Sequence, residues 1–258
     1  MTASSQWLSL GRNAPWKDAA QASLFCFPYS GASAAFYTSW SLPIPIAIYP
    51  VELPGHGRRM SEGLHNRIEP LVKDIARGLA PYLDRPFAFF GHSMGAVVSF
   101  ELARFLRQAH SVSPVHLFVS GHGAPHLPHN EAPIHSLPDA EFIEKLREMN
   151  GTDPTVLGCA ELCEIILPIL RADFAICETY EYIPSEPLDC PITVFSGLQD
   201  RYVTRADLEA WSMHTRSRFR VSLYPGDHFY VNGSRAGLLE AIARDLYPRV
   251  IHPGKAAG

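Results

Sequence analysis

The run Phe87-Ala-Phe-Phe-Gly-His-Ser-Met-Gly-Ala96 sets a serine between Gly91 and Gly95 in the pattern G-x-S-x-G. An apolar stretch, Phe87 to Phe90, leads in, and an amphipathic stretch, Val97 to Arg107, leads out. Strand, tight turn and helix in that order make a nucleophile elbow, which lifts a serine hydroxyl clear of a sheet. The flanking glycines leave room for backbone that a side chain would obstruct. The plainer reading is a glycine-rich turn in a parallel sheet. A serine hydroxyl attacks a carbonyl well only when a base removes its proton and an acid fixes the tautomer of that base. After an elbow serine, the acid and then the base follow in chain order. Phe195-Ser-Gly-Leu-Gln-Asp200 ends an apolar run in a glycine turn and a carboxylate, and Tyr224-Pro-Gly-Asp-His228 puts an imidazole on the loop after the last apolar run. Ser93, Asp200 and His228 are therefore the expected nucleophile, acid and base. Asp227 is the rival acid, but a residue adjacent to the histidine reaches its ring poorly and reads as a turn-former. His92 reads as structural. A tetrahedral oxyanion needs two backbone N–H donors. Met94, next after the serine, is one. The other belongs to the loop Pro28-Tyr29-Ser30-Gly31, with Tyr29 the first choice and Ser30 the alternative; a plain glycine turn is the bland reading.

The elements that must position these residues alternate along the chain. Ser23 to Phe27, Ile46 to Val51, the elbow strand, His116 to Ser120, Ile192 to Phe195 and Phe219 to Tyr224 read as strands. Between or after them lie helical patterns: Ile68 to Leu83 with Leu71, Ile75 and Leu79 at helical spacing, the stretch after the elbow, Arg205 to Ser212, and Gly237 to Leu246. Alternation of this kind means an α/β fold, a mostly parallel central sheet with helices on both faces. Chemistry in such sheets sits beyond the carboxyl ends of the strands, where each motif above falls. Residues 124–186 break the pattern. No strand is visible there; a Pro/His-rich loop is followed by helical stretches at Asp139 to Met149 and Glu161 to Tyr182, the second rich in Leu and Ile. This is too apolar for a surface connection and reads as a helical lid inserted into a single domain, core about 20–123 and 187–250; ordinary crossover helices are the alternative.

The chain has 258 residues, 47% of them hydrophobic and 19% charged, with a net charge of −4. That suits one large domain with a well-buried core. Without a basic block, nucleic acid is an unsuitable partner. No run is long and apolar enough for a membrane span, and Met1 to Asp18 lacks a signal peptide's apolar centre, so the reading is a cytoplasmic protein with a polar leader. Five cysteines, with no CxxC pair, suggest neither a disulfide framework nor a zinc site; Cys159 and Cys163, four apart, read as small buried apolar residues. His122, His126, His129 and His135 lie close in sequence without metal-ligand spacing and read as a solvated loop.

Four blocks together carry a specific resemblance: Phe27-Pro-Tyr-Ser-Gly-Ala-Ser33, Leu53-Pro-Gly-His-Gly-Arg58, Gly91-His-Ser-Met-Gly-Ala96 and Gly226-Asp-His-Phe229. They resemble the signature blocks of type II thioesterases, α/β-hydrolases that serve nonribosomal peptide and polyketide synthases; the family includes the medium-chain thioesterase of fatty acid synthesis. The resemblance runs from about Ser23 to Leu246. It implies an α/β-hydrolase fold with a helical lid and hydrolysis of acyl or aminoacyl thioesters from the phosphopantetheine arm of a carrier protein. Such activity clears stalled or misprimed groups and needs no cofactor of its own. No carrier domain and no dimer signature are visible in the sequence, so the expectation is a monomer met by a carrier in trans. Carried over residue by residue, it implies Ser93 as nucleophile, His228 as base, Asp200 as its orienter, and Tyr29 and Met94 as oxyanion donors. The family usually has two adjacent glycines where this chain has Gly31-Ala32. Carriers are acidic, so Arg58, Arg59 and Arg67, or a patch on the lid, would receive them; a solvated loop is the alternative for these arginines. Elbow and triad alone suit a small-molecule esterase or lipase equally well, and a fold without activity would serve as a scaffold.

Overall fold

The computed structural model describes residues 6–9, 19–128 and 132–251. Among the described residues six strands form one sheet: β1 (Ala22–Phe27), β2 (Ile46–Pro50), β3 (Phe87–His92), β4 (His116–Ser120), β5 (Ile192–Gly197) and β6 (Phe219–Tyr224). Their order is β2-β1-β3-β4-β5-β6, and each neighbouring pair is parallel. β1, β3, β4 and β5 are buried along their whole length. Both of their faces are covered, which is why they read as unbroken apolar runs without alternation. β6, at one edge, is only half-buried.

On one face lie α1 (Ile68–Leu79) and α2 (Met94–His110). Leu71, Ile75 and Leu79 of α1 and Phe100 and Leu106 of α2 join Phe25, Phe89 and Val194 in one core. On the other face α8 (Arg235–Ile251) and a 3₁₀ turn at Ala34–Tyr37 pack Leu238, Ile242 and Tyr37 on Leu24, Phe90 and Phe118. Trp7 and Leu8 belong to the first core, and Leu8 bridges Val51, so the leader is in part a structural segment; the rest of Met1 to Asp18 lies outside the described residues.

The helix expected over residues 205–212 is α6 (Arg205–Glu209) followed by a 3₁₀ turn, Ala210–His214. A reciprocal cap at its start ties Thr204 to Asp207, and α7 (Tyr230–Gly233) is a single turn after β6. The described residues between 124 and 186 hold three helices: α3 (Asp139–Met149), a short α4 (Pro154–Leu157) that periodicity does not reveal, and α5 (Ala160–Glu178). They share a small core of their own, Phe142, Leu146, Leu157, Cys163, Leu167 and Leu170. Farther along α5, Ile176 joins the main core instead. Pro168 lies inside α5, where it removes one backbone hydrogen bond.

The strand register brings the site together. Phe27 pairs with Gly91, Gly91 with Val119, Val119 with Val194 and Val194 with Val221. The five loops that leave these strands therefore start at nearly one level and meet along one rim.

Candidate active site

Ser93 sits on that rim between β3 and α2 with φ 54° and ψ −118°, a conformation that side-chain residues seldom adopt. The turn is held open by close packing. A Cβ on Gly91 would lie 1.9 Å from the Gly95 carbonyl oxygen, and one on Gly95 would lie 2.3 Å from that of Phe27. The Ser93 amide donates to Ser120 O at 2.8 Å, which fixes the elbow to β4. Met94 is the first residue of α2, so its N–H is among those that a helix start leaves without an intrahelical acceptor.

His228 and Asp200 come from the loops after β6 and β5. His228 Nδ1 lies 2.9 Å from Asp200 Oδ2, and the Asp200 side chain is fully buried. The same carboxylate accepts from the Tyr202 amide (3.0 Å) and the Ser196 hydroxyl (3.3 Å). Facing a carboxylate, Nδ1 must carry the proton, which leaves the Nε2 lone pair free to accept one. Asp227 is exposed and its carboxylate accepts from the Phe229 amide, which shapes the turn; Asp200 is the acid that touches the ring.

His92 is placed closer to the chemistry than a purely structural reading expects. Its ring centre is 5.0 Å from that of His228. Its Nδ1 meets Ser120 Oγ at 2.8 Å, and Ser120 Oγ meets the Tyr230 hydroxyl at 2.6 Å. Burial, with His228 beside it, holds His92 well below the ordinary imidazole range. A neutral ring thus backs His228. Tyr29 sits edge-on to both His92 and Phe229.

Ser93, His228, Tyr29 and Ser30 open onto a cavity of about 650 Å³ between the rim and the inserted helices. Leu146 and Met149 of α3 and Leu170 and Phe174 of α5 give one side an apolar wall, while Arg201, Thr204 and Asp207 stand on another. The histidines of the Pro/His-rich loop are not simply solvated. His126 Nδ1 contacts His214 Nε2 at 2.8 Å, and Glu178 binds the amide and ring of His135. His129 lies outside the described residues. Among the described residues no three His, Cys, Asp or Glu converge as a metal site.

The arginines considered for docking are mostly occupied. Arg59 is buried, donates to Glu52 O and to both Glu62 carboxylate oxygens, and lies 3.9 Å from the Trp7 ring centre. Arg58 donates to Leu8 O and Ser9 Oγ. Both brace the N-terminal segment against the loop after β2; Arg67 is exposed.

Two buried residues that sequence reasoning passes over complete the rim. Asp173 of α5 accepts from the Gly31 amide at 2.7 Å, and His56 Nε2 meets the same oxygen at 2.9 Å. His56 stands inside one of the four signature blocks, and Asp173 is an isolated acid in the apolar stretch Ile165 to Ile176. Either signal could have drawn attention to them.

A parallel sheet with this strand order, an elbow serine and an imidazole–carboxylate pair on the following loops defines an α/β-hydrolase. A family model described as "Thioesterase domain" matches residues 22–248. The gramicidin S biosynthesis protein GrsT of Aneurinibacillus migulanus is 45% identical over 236 residues, 91% of this chain and 92% of that one. Among solved structures, the type II thioesterase BorB from the borrelidin biosynthetic cluster superposes with a TM-score of 0.83 at 35% identity, covering 93% of this chain and 97% of that one. The thioesterase RedJ from the prodiginine pathway of Streptomyces coelicolor superposes at 0.82 with 40% identity, covering 88% and 91%. The chain belongs to the thioesterase family. It is a serine hydrolase acting on thioesters, of the type II group found in nonribosomal peptide and polyketide pathways.

Proposed function

We propose that Ser93, His228 and Asp200 hydrolyse acyl and aminoacyl thioesters presented on the phosphopantetheine arm of a carrier protein, and that the enzyme thereby clears stalled or misprimed groups from a synthase. The observation that carries this reading is the His228–Asp200 contact, with His228 and Ser93 lining one cavity. Ser93 Oγ attacks the thioester carbonyl carbon while its proton passes to His228 Nε2. The carbonyl oxygen, now negative, is received by the Met94 and Tyr29 amides. Collapse of this intermediate breaks the C–S bond, and His228 returns its proton to the departing pantetheine sulfur. Water then attacks the acyl-serine with His228 again as base, and the acid leaves as Ser93 regains its proton. A thiolate leaves more readily than an amine, so the acid step asks little of the site.

The inserted helices act as the lid, and their apolar wall receives the acyl group. The pantetheine arm is substrate, and none of these steps uses a further cofactor. Among the described residues no helix is long and apolar enough to cross a membrane; we place the enzyme in the cytoplasm, as a monomer that meets its carrier in trans.

The test is release of acetyl and longer acyl groups from a phosphopantetheinylated carrier, with Ser93→Ala and free p-nitrophenyl esters as controls. Turnover on the carrier well above that on free esters, abolished in Ser93→Ala, is the expected result. Equal turnover on free esters would make the protein a general esterase, and full activity in Ser93→Ala would remove the serine from the mechanism.

A further inference from the structure

The loop after β1 turns back at Tyr29–Ala32, where the Ala32 amide donates to Tyr29 O at 3.0 Å. Gly31 has φ +79°, the value of the third residue of a type II turn. Types I and II differ by a flip of the middle peptide, here the one joining Ser30 to Gly31. A flip would turn the Gly31 N–H away from its acceptor and release the turn that Tyr29, the donor proposed for the oxyanion, opens.

The N–H of that middle peptide is not left to solvent. It donates to Asp173 Oδ2 at 2.7 Å. Asp173 is 1% exposed, on a helix inserted far away in the chain. The same oxygen faces His56 Nε2 at 2.9 Å, and His56 Nδ1 lies 3.0 Å from Pro54 O. A carbonyl can only accept, so Nδ1 carries a proton; Nε2 faces a carboxylate and carries another. The buried pair is therefore an imidazolium and a carboxylate, with its charge closed by the Gly31 amide. One turn before Asp173, Leu170 packs on the same peptide, and a Cβ at Gly31 would lie 2.5 Å from Leu170 Cδ2. From the other side Glu52, 2% exposed, accepts from the Ala34 amide at 2.9 Å. Glu52 also faces His56 electrostatically, and Cys177, one turn on in α5, is a further titratable group beside Asp173.

We infer that Asp173, clamped by His56, is a positioning residue for the reaction: it pins the middle peptide of the Tyr29–Ala32 turn and so holds in place the turn whose first residue, Tyr29, supplies the amide that receives the thioester oxygen. This rests on the reading that the loop after β1 supplies that amide. Helix α5 is then part of the catalytic apparatus as well as a cover for it. The role is carried by geometry that no local sequence pattern contains, since the two contacts span 142 and 117 residues.

Asp173→Asn keeps the shape and removes the charge that holds both donors. On carrier-bound thioester its kcat is expected to fall roughly tenfold or more, short of the ~10²–10³ loss caused by outright removal of an oxyanion donor. KM should stay nearly constant, because the interaction is made in the transition state. Affinity for an acyl trifluoromethyl ketone, whose serine adduct carries the same negative oxygen, should weaken by the same factor as kcat. A merely structural residue would not move the ketone affinity and kcat by the same factor in an enzyme that is still folded. A folded Asp173→Asn enzyme with wild-type kcat and ketone affinity would overturn the inference, as would a change confined to KM. If Asp173→Asn does not fold, His56→Gln, which leaves the Gly31 contact in place, is read the same way: a smaller parallel loss supports the role and wild-type values overturn it. A wild-type enzyme inactive on the carrier thioester would instead sink the functional reading itself.

Discussion

The Asp200 carboxylate accepts from His228, Tyr202 and Ser196, and its side chain is shut off from solvent. Asp200→Asn preserves its size but would set an amide N–H against the Nδ1–H of His228. The ring would have to adopt the other tautomer, with its proton on Nε2, where it can no longer accept one from Ser93. We expect kcat to fall by about 10⁴, the magnitude of such a tautomer trap in serine hydrolases, with the melting temperature nearly unchanged. Asp227→Asn, which alters only the turn, should retain most of the activity; the two variants compared by steady-state kinetics decide which acid orients the base. Ser93, Asp200 and His228 could be read in the chain because each is announced by turn chemistry within a few residues and their order is informative. His56 and Asp173 could not be paired this way. Their partners lie more than a hundred residues off, and a single acid inside an apolar helix leaves the helical period intact.

At the scale of elements, the elbow is a packing problem. α2 approaches the end of β1 so closely that a methyl at position 95 would meet backbone oxygens of both Phe27 and Pro28, at 2.3 and 2.8 Å. Neither can rotate away. Gly95→Ala must therefore push α2 off β1, and α2 carries Met94 at its first position. We expect a loss of about 1–3 kcal/mol in a denaturant titration, as for overpacked sites, together with a larger loss of turnover than of stability. The strands were legible because the four central ones are buried on both faces and so are mostly apolar, without alternation. Edge strand β6 and the long helices followed their periodicities. The short α4 escaped because one turn has no period, although Asp153, which caps the Thr155 amide at 2.8 Å ahead of Pro154, marked its start. The burial of Trp7 was hidden by the polar residues around it; its partner Arg59 offers an aliphatic stem and a flat cation, and does not behave as the surface charge its type suggests.

For the whole molecule, buried histidines set how stability varies with pH, in two directions. Burial pushes His214 down to about 4, with nearby His126 and Arg104 adding to it, and burial with His228 lowers His92. The unfolded chain takes up these protons near pH 6.5 while the folded chain does not, so stability falls as pH drops below that value. His56 behaves oppositely. Burial alone would lower it, but Asp173, with the Pro54 carbonyl and Glu52, outweighs burial and holds it above the ordinary value. Its contribution is complete below about pH 6.5 and is lost as pH rises through the folded value. Melting temperature should thus pass through a maximum near neutrality. His214→Gln is expected to flatten the acid side and Asp173→Asn the alkaline side; a curve unchanged in both variants would refute the assignment. The placement of Asp173 also bears on discrimination among acyl groups. α5 walls the cavity through Leu170 and Phe174 and, from the same turns, holds the Gly31 amide of the loop proposed to supply an oxyanion donor. A group too bulky for the cavity that wedges α5 outward must also draw the carboxylate from Gly31. On the role proposed for Asp173, selectivity against such a group would be exercised in the chemical step, where the misfit costs rate as well as affinity. By the same reciprocity, an acyl chain that seats α5 firmly also readies the site to break its thioester.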